Sequence, residues 1–289
     1  MVRIIATVSF AFLWAASAFS QCQLRSQWRG TSVTTYVPGV QACLEIPGSG
    51  IWFDEAVEKA IFDLVNAERR AIGLPHLQLR VELIAPARIH SFDMAQEDFF
   101  DHQGVDGRTV QDRTGALDRA LVQSEIRENL ASIGGDLRYE STAQLLHNIL
   151  MNSEGHRANI LAPNVTHISI GLARKPKGAW VTQVFVRQEG EFLADVPLNA
   201  SLARGEIPAV ELSDWSFETF AVENSSTDGV TDALDIAPDV RVIVSASKPI
   251  DDERRSIIQL RGPLVAHQPD EVDSEEAITL FKSDPASPY

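Results

Sequence analysis

Positive charge is scarce in this sequence: 25 Lys and Arg stand against 40 Asp and Glu, a formal net charge of −15 over 289 residues. No basic stripe is available to neutralise phosphates, which argues against nucleic acid as a partner and against attraction to an anionic membrane surface. Cysteine is scarcer still, with only Cys22 and Cys43. Two thiols cannot close a structural zinc site, which takes four ligands. In an exported chain such a pair forms a disulfide, here closing a loop of about twenty residues and stabilising by ~3 kcal/mol in the chain-entropy model. Long apolar runs are absent after residue 20, so no later segment spans a bilayer. Pro285–Tyr289 has no lipid-anchor character. The acidic Asp251-Asp-Glu253 lacks EF-hand spacing and reads as a solvated hairpin loop. No internal repeat is found.

One apolar run does exist, from Ile4 to Ala18, preceded by Arg3 and followed by the small residue Ser20. That pattern is a secretory signal over residues 1–20, cleaved after Ser20, and predicts a secreted or periplasmic protein with no integral membrane segment after cleavage. The remainder reads as globular, with 44% apolar and 22% charged residues. Its charge is uneven. Residues 189–289 hold 21 acidic and 7 basic residues, whereas residues 1–188 are nearly balanced at 19 and 18. This divides the chain into two surfaces and leaves a cationic partner of the acidic region as one expectation.

Residues 21–53, rich in Gly, Ser, Thr and Pro, read as an extended leader pinned by the disulfide. Periodic sequence begins at Asp54, a helix N-cap, with Val57, Ile61, Leu64 and Val65 on one face and Gly73 as the stop. Further helices are predicted over Val81–Phe100, with Pro86 near its start, over Thr109–Ala120 and over Ser141–Met151. A strand pair follows, Thr166–Ala173 and Trp180–Arg187, joined at Lys175-Pro-Lys-Gly178. Helices followed by strands indicate an α+β fold. Residues 189–289 read as a small β-rich region built on 241–245 and 256–260, with Ile278–Phe281 the only further patterned stretch. Trp52 and Trp180 are expected in the core, and His90 is expected to pack or face solvent rather than bind a ligand.

Three strings carry chemistry: Phe99-Phe-Asp-His102, Glu128-Asn-Leu-Ala131 and Ser153-Glu-Gly-His-Arg-Ala-Asn-Ile-Leu161. Imidazoles and carboxylates together hold divalent ions or pass protons near neutral pH. Spacing does not bring the three together, since 26 residues separate His102 from Glu128 and 28 separate Glu128 from His156. Read singly, His102 is a surface or capping histidine, Glu128 an N-terminal helix carboxylate and His156 part of a helix C-cap.

Together with Ile170-Gly-Leu-Ala173 and Trp180-Val-Thr-Gln-Val-Phe185, these strings resemble, in order, the bacterial branch of the CAP superfamily (cysteine-rich secretory proteins, antigen 5 and pathogenesis-related proteins). The resemblance covers residues 54–188. It implies an α-β-α sandwich around an antiparallel sheet, with a cleft lined by two histidines and two acids. His102 and His156 match the histidines and Glu128 the first acid. Ser153 stands at the second acid, with Glu154 beside it, a departure that weakens any two-carboxylate mechanism. The core also lacks the internal cysteines of animal and plant members. Three Asn-x-Ser/Thr sites, at Asn164, Asn199 and Asn224, matter only in a glycosylating host. The resemblance implies zinc or another divalent cation on His102 and His156, and a small hydrophobic ligand (lipid or sterol) or a peptide in the cleft. A secreted binding module is therefore favoured. The alternatives are a metal-assisted peptidase in which Glu128 activates water, and an interaction protein acting through residues 189–289.

Overall fold

The computed structural model of the chain describes residues 22, 28–45, 50–135, 139–224, 239–251 and 254–266. The signal-like residues 1–20, the stretch Ile278–Phe281 and most of the acidic Asp251–Glu253 loop lie outside them. Six helices are described: α1 (Val33–Glu45), α2 (Glu55–Ala71), α3 (Ile84–Glu97), α4 (Val110–Leu117), α5 (Tyr139–Asn152) and α6 (Glu154–Ile160). Nine strands accompany them: β1 (Trp52–Phe53), β2 (Gln78–Leu79), β3 (Leu121–Gly134), β4 (His167–Lys175), β5 (Gly178–Phe192), β6 (Val210–Leu212), β7 (Ser216–Asn224), β8 (Val240–Pro249) and β9 (Arg255–Val265). They form one sheet in the order β1-β4-β5-β3-β9-β8-β7, with β2 against β4 and β6 against β5. All pairings are antiparallel except the two-residue β2–β4 contact. The fold is an α+β sandwich.

Strand alternation sorts the two faces. Ile168, Ile170 and Leu172 of β4 and Val181 and Phe185 of β5 pack against Val57, Ile61 and Val65 of α2 and Ala143, Leu146 and Leu150 of α5. Each fully buried Leu, Ile, Val or Phe there contributes roughly 1.5–3 kcal/mol. The opposite face receives α3 and α1, through Ile89, Phe92 and Ala95 beside Val33, Tyr36, Val40 and Cys43. α3 comes so near the sheet that a Cβ on Gly171 would collide with the backbone of Ala87 and Arg88. Only glycine allows that approach.

The predicted start of α2 is observed, with Asp54 accepting from the Val57 amide at 3.2 Å. The β4–β5 hairpin turns at Pro176 and Lys177, between the predicted strands. The predicted second helix is shorter, opening with a 3-10 turn at Val81–Leu83 and ending at Asp98, whose φ of 53° is left-handed. Three expectations are corrected. The leader is helical rather than extended: Val33, Tyr36, Val37, Val40 and Cys43 lie on one buried stripe, and that burial outweighs Pro38 within the helix. The first amide of α1 is capped by the distant Asp239, at 3.0 Å. Residues 121–134, assigned no strand from sequence, form the long β3. Trp52 is 42% exposed rather than core.

The Cys22–Cys43 disulfide is present and suits an oxidising compartment. No helix among the described residues is long and apolar enough to cross a membrane. Residues after 189 continue the same sheet: β5 runs to Phe192, and β9 joins β3 at Gln123–Arg261. Arg119 fastens this region to the rest, donating to the carbonyls of Val196 at 2.7 Å and of Leu264.

Candidate functional site

Three elements converge at the stretch of β3 beyond its single paired position with β9. The first is the strap after α3. His90, wholly buried on α3, donates its Nε2–H to the Asp101 carbonyl at 2.9 Å and lies edge-on to Phe99. This holds the strap where it presents His102, whose side chain is 60% exposed. The strap then turns, with Gly104 bonded to the Arg108 carbonyl at 2.9 Å and Gly107 at φ 87°. The second element, α4, starts with Thr109 and Asp112 in a reciprocal capping box and carries Arg113 in its first turn. The third is β3, which carries Glu128.

Glu128 is not at a helix terminus, as its sequence context suggested, but within a strand, with its side chain 2% exposed. Both carboxylate oxygens are engaged. Oε2 accepts from His102 Nδ1 at 2.8 Å, and Oε1 accepts from Arg113 Nη2 at 2.6 Å. The hydrogen bond to Glu128 holds the His102 imidazole above its ordinary pKa, against burial and against the Arg113 charge. His156 shifts the other way. Burial lowers its pKa, and the charge on His102 lowers it further, so the two rings share one electrostatic neighbourhood.

His156 lies within α6 rather than at a C-cap, and its backbone is fixed from β3: Asn129 Nδ2 donates to its carbonyl at 3.0 Å and to Gln183 Oε1 at 3.1 Å. Asn159 Nδ2 in turn donates to Asn129 Oδ1 at 2.8 Å and to the Glu128 carbonyl at 3.2 Å. The two asparagines of the Glu128 and His156 strings therefore knit α6 to β3. A cleft of about 460 Å³ is lined by Asp101, His102, Gln103, Thr109, Val110, Ile126, Arg127 and Glu128, and His156 is not among its lining residues. Ser153 stands at the N-cap of α6 with Glu154 following it, and neither lines this cleft.

These donors fit a divalent ion poorly. Glu128 is 2% exposed, each of its oxygens is already hydrogen-bonded, and its neighbour Arg113 is a buried cation. What remains is the outer nitrogen of His102 and the ring of His156. Among the described residues no group of three or more His, Cys, Asp or Glu side chains is arranged to hold a metal.

Residues 62–185, which contain this whole arrangement, match the family model described as the cysteine-rich secretory protein family, CAP. The match assigns residues 62–185, less than half of the chain, to a CAP domain. Over 131 residues the chain is 36% identical to the uncharacterized protein YkwD of Bacillus subtilis (strain 168), covering 45% of this chain and 47% of that protein. Over 133 residues it is 30% identical to the uncharacterized membrane protein YlbC of the same organism, covering 45% and 34%. It thus spans about half, or less, of the length of the curated relatives it matches. Similar solved structures include an extracellular protein containing a SCP domain from Bacillus anthracis str. Ames (29% identity, TM-score 0.39, 46% of this chain and 41% of that one). An outer surface protein of Borrelia burgdorferi is another (18% identity, TM-score 0.39, 46% and 93%).

Within the CAP domain, sequence reasoning missed Arg113, the buried partner of Glu128, and the positioning role of His90. Arg113 stands in no motif string, and only its place in the first turn of a capped helix distinguishes it. Asn129 and Asn159 were inside the quoted strings, and an amide side chain recurring in each was the signal available.

Proposed function

We propose that this CAP domain is a secreted binding module whose cleft takes a peptide or another small, partly apolar ligand carrying a polar group that meets the outer nitrogen of His102. One observation carries the reading: both oxygens of the Glu128 carboxylate, which lines the cleft, are already hydrogen-bonded, Oε1 to Arg113 and Oε2 to His102. A carboxylate only 2% exposed and bonded through both oxygens is poorly placed to take a proton from a water in the cleft, which weakens the peptidase reading. It does orient the His102 ring, leaving Nε2 as the group offered to a ligand. Val110 and Ile126 supply apolar wall, while Thr109, Gln103 and Arg127 supply polar contacts, the mixture expected of a small-ligand site.

The test is an NMR titration of ¹⁵N-labelled protein with N-acetyl-leucyl-alanine amide and, separately, with decanoate. The expected result is shifts confined to residues 101–103, 109–110 and 126–128 with the peptide, abolished in His102→Ala. Shifts with decanoate alone would reassign the ligand to lipids. Peptide cleavage that Glu128→Gln abolishes would overturn the binding reading in favour of hydrolysis.

A further inference from the structure

Behind the His102–Glu128 pair lie two arginines, Arg113 and Arg108, neither of which lines the cleft. Arg113, with its side chain 1% exposed, touches three separate pieces of backbone and side chain at once. Besides the Glu128 carboxylate, its Nη1 donates to the carbonyl of His102 at 3.2 Å and to that of Arg108 at 2.8 Å. One planar guanidinium thereby fixes the strap, the turn before α4 and β3 relative to one another, a geometry that a lysine ammonium does not reproduce.

Arg108 extends this outward. Its Nη1 donates to the Trp28 carbonyl at 3.3 Å and to Asp106 Oδ2 at 3.1 Å, and its Nη2 donates to the Thr31 carbonyl. Its guanidinium also lies 3.9 Å from the ring centroid of Tyr36, a fully buried residue of α1. Trp28, Thr31 and Tyr36 all belong to the segment closed by Cys22–Cys43. A continuous series of contacts thus runs from the disulfide-closed segment through Arg108 and Arg113 to the floor of the cleft.

We propose that Arg113 and Arg108 are positioning residues that fix the His102–Glu128 pair against the disulfide-closed N-terminal segment, which makes that segment part of the cleft's architecture. The proposal rests on the reading of the cleft as the functional site, but it concerns the geometry of the pair and not the ligand. Displacing α1 moves Arg108, whose carbonyl is one of the three acceptors that orient Arg113. A change at the disulfide therefore reaches His102 without altering any residue that lines the cleft.

The readout is the His102 Nδ1–H resonance of the full-length ¹⁵N-labelled protein, shifted downfield by its bond to the Glu128 carboxylate. In Arg113→Met this proton is expected to exchange with water roughly tenfold faster, the loss of one charge-assisted bond. Arg113→Lys, which restores the charge but not the fork, is expected to fall between that variant and the wild type. Cys22→Ala/Cys43→Ala is expected to accelerate the exchange as well. Val244→Ala, a truncation in the separate core of β8, is expected to leave it unchanged. An unaltered His102 signal in a folded Arg113→Met or Arg113→Lys would overturn the proposal. So would equal effects of the disulfide and Val244 variants, since both would then act only through global stability. Should Arg113→Met not fold, the lysine and disulfide variants decide. Failure of the peptide titration with this pattern intact counts against the binding reading alone.

Discussion

Glu128→Gln isolates the electrostatics of the site. Glu128 and Arg113 are buried side chains, 2% and 1% exposed, joined at 2.6 Å. Removing one partner of such a pair strands the other charge out of water and costs about 3–5 kcal/mol. Glutamine keeps the shape and one acceptor oxygen, which returns about 1 kcal/mol for a neutral hydrogen bond. The net destabilisation is then about 2–4 kcal/mol, which for a domain of this size lowers Tm by roughly 6–12 °C. Urea and thermal unfolding followed by circular dichroism at pH 7 measure it. Because the pair is buried, adding 1 M NaCl should shrink the difference little. A second signature is the pH dependence. The His102 pKa is raised by Glu128, so this pair's stability is fully present below the unfolded value of about 6.5 and is lost as pH rises through the folded value. Glu128→Gln should remove that component. A variant within about 0.5 kcal/mol of wild type, with an unchanged pH profile, would refute the claim that the carboxylate is buried against Arg113 and His102, since only a solvated Glu128 would be that easily replaced.

Four further outcomes are expected. His147 on α5 is 1% exposed and its pKa is lowered by burial, so stability is lost as pH falls from about 6.5 through the folded value; His147→Leu should flatten the drop in urea midpoint between pH 7 and pH 5. Gly171→Ala forces α3 off β4 and should cost about 3 kcal/mol or prevent folding, read by thermal melts beside a Gly155→Ala control at an uncrowded helical position. Cys22→Ala/Cys43→Ala should lose ~3 kcal/mol by urea unfolding, and reduced wild type should match it. Calorimetric titration with Zn²⁺ should give at most a weak isotherm that His102→Ala and His156→Ala abolish; tight binding surviving both substitutions would place an ion elsewhere.

The elements read correctly from sequence were those that local rules govern. Asp54 ahead of an apolar three-four repeat defined α2, and alternation around Pro176-Lys177 defined the β4–β5 hairpin. Where local and tertiary forces disagreed, the reading failed. Pro38 and the glycines around it spoke for a loop, yet a stripe from Val33 to Cys43 found α3 and the sheet to bury against and made a helix. β3 went unseen because its middle, Ser124 to Arg127, sets three polar residues around Ile126 and is half-buried, as a strand beside a cleft can be. A strand of that kind lacks the clean two-residue period.

By itself the sequence determined the family strings, the cysteine pair, the division of charge and the identity of His102, Glu128 and His156 as candidates. Each of these is a property of residue type and order. Tertiary structure alone decided what Glu128 does. What a carboxylate can do depends on which groups lie within 3 Å of its two oxygens, and here these are His102 and Arg113, 26 and 15 positions before it and on different elements. Arg113 reaches Glu128 only because α4 packs beneath the strap and across β3. Coulomb energy in a buried site depends on that distance and that desolvation, and neither is written in the order of the residues.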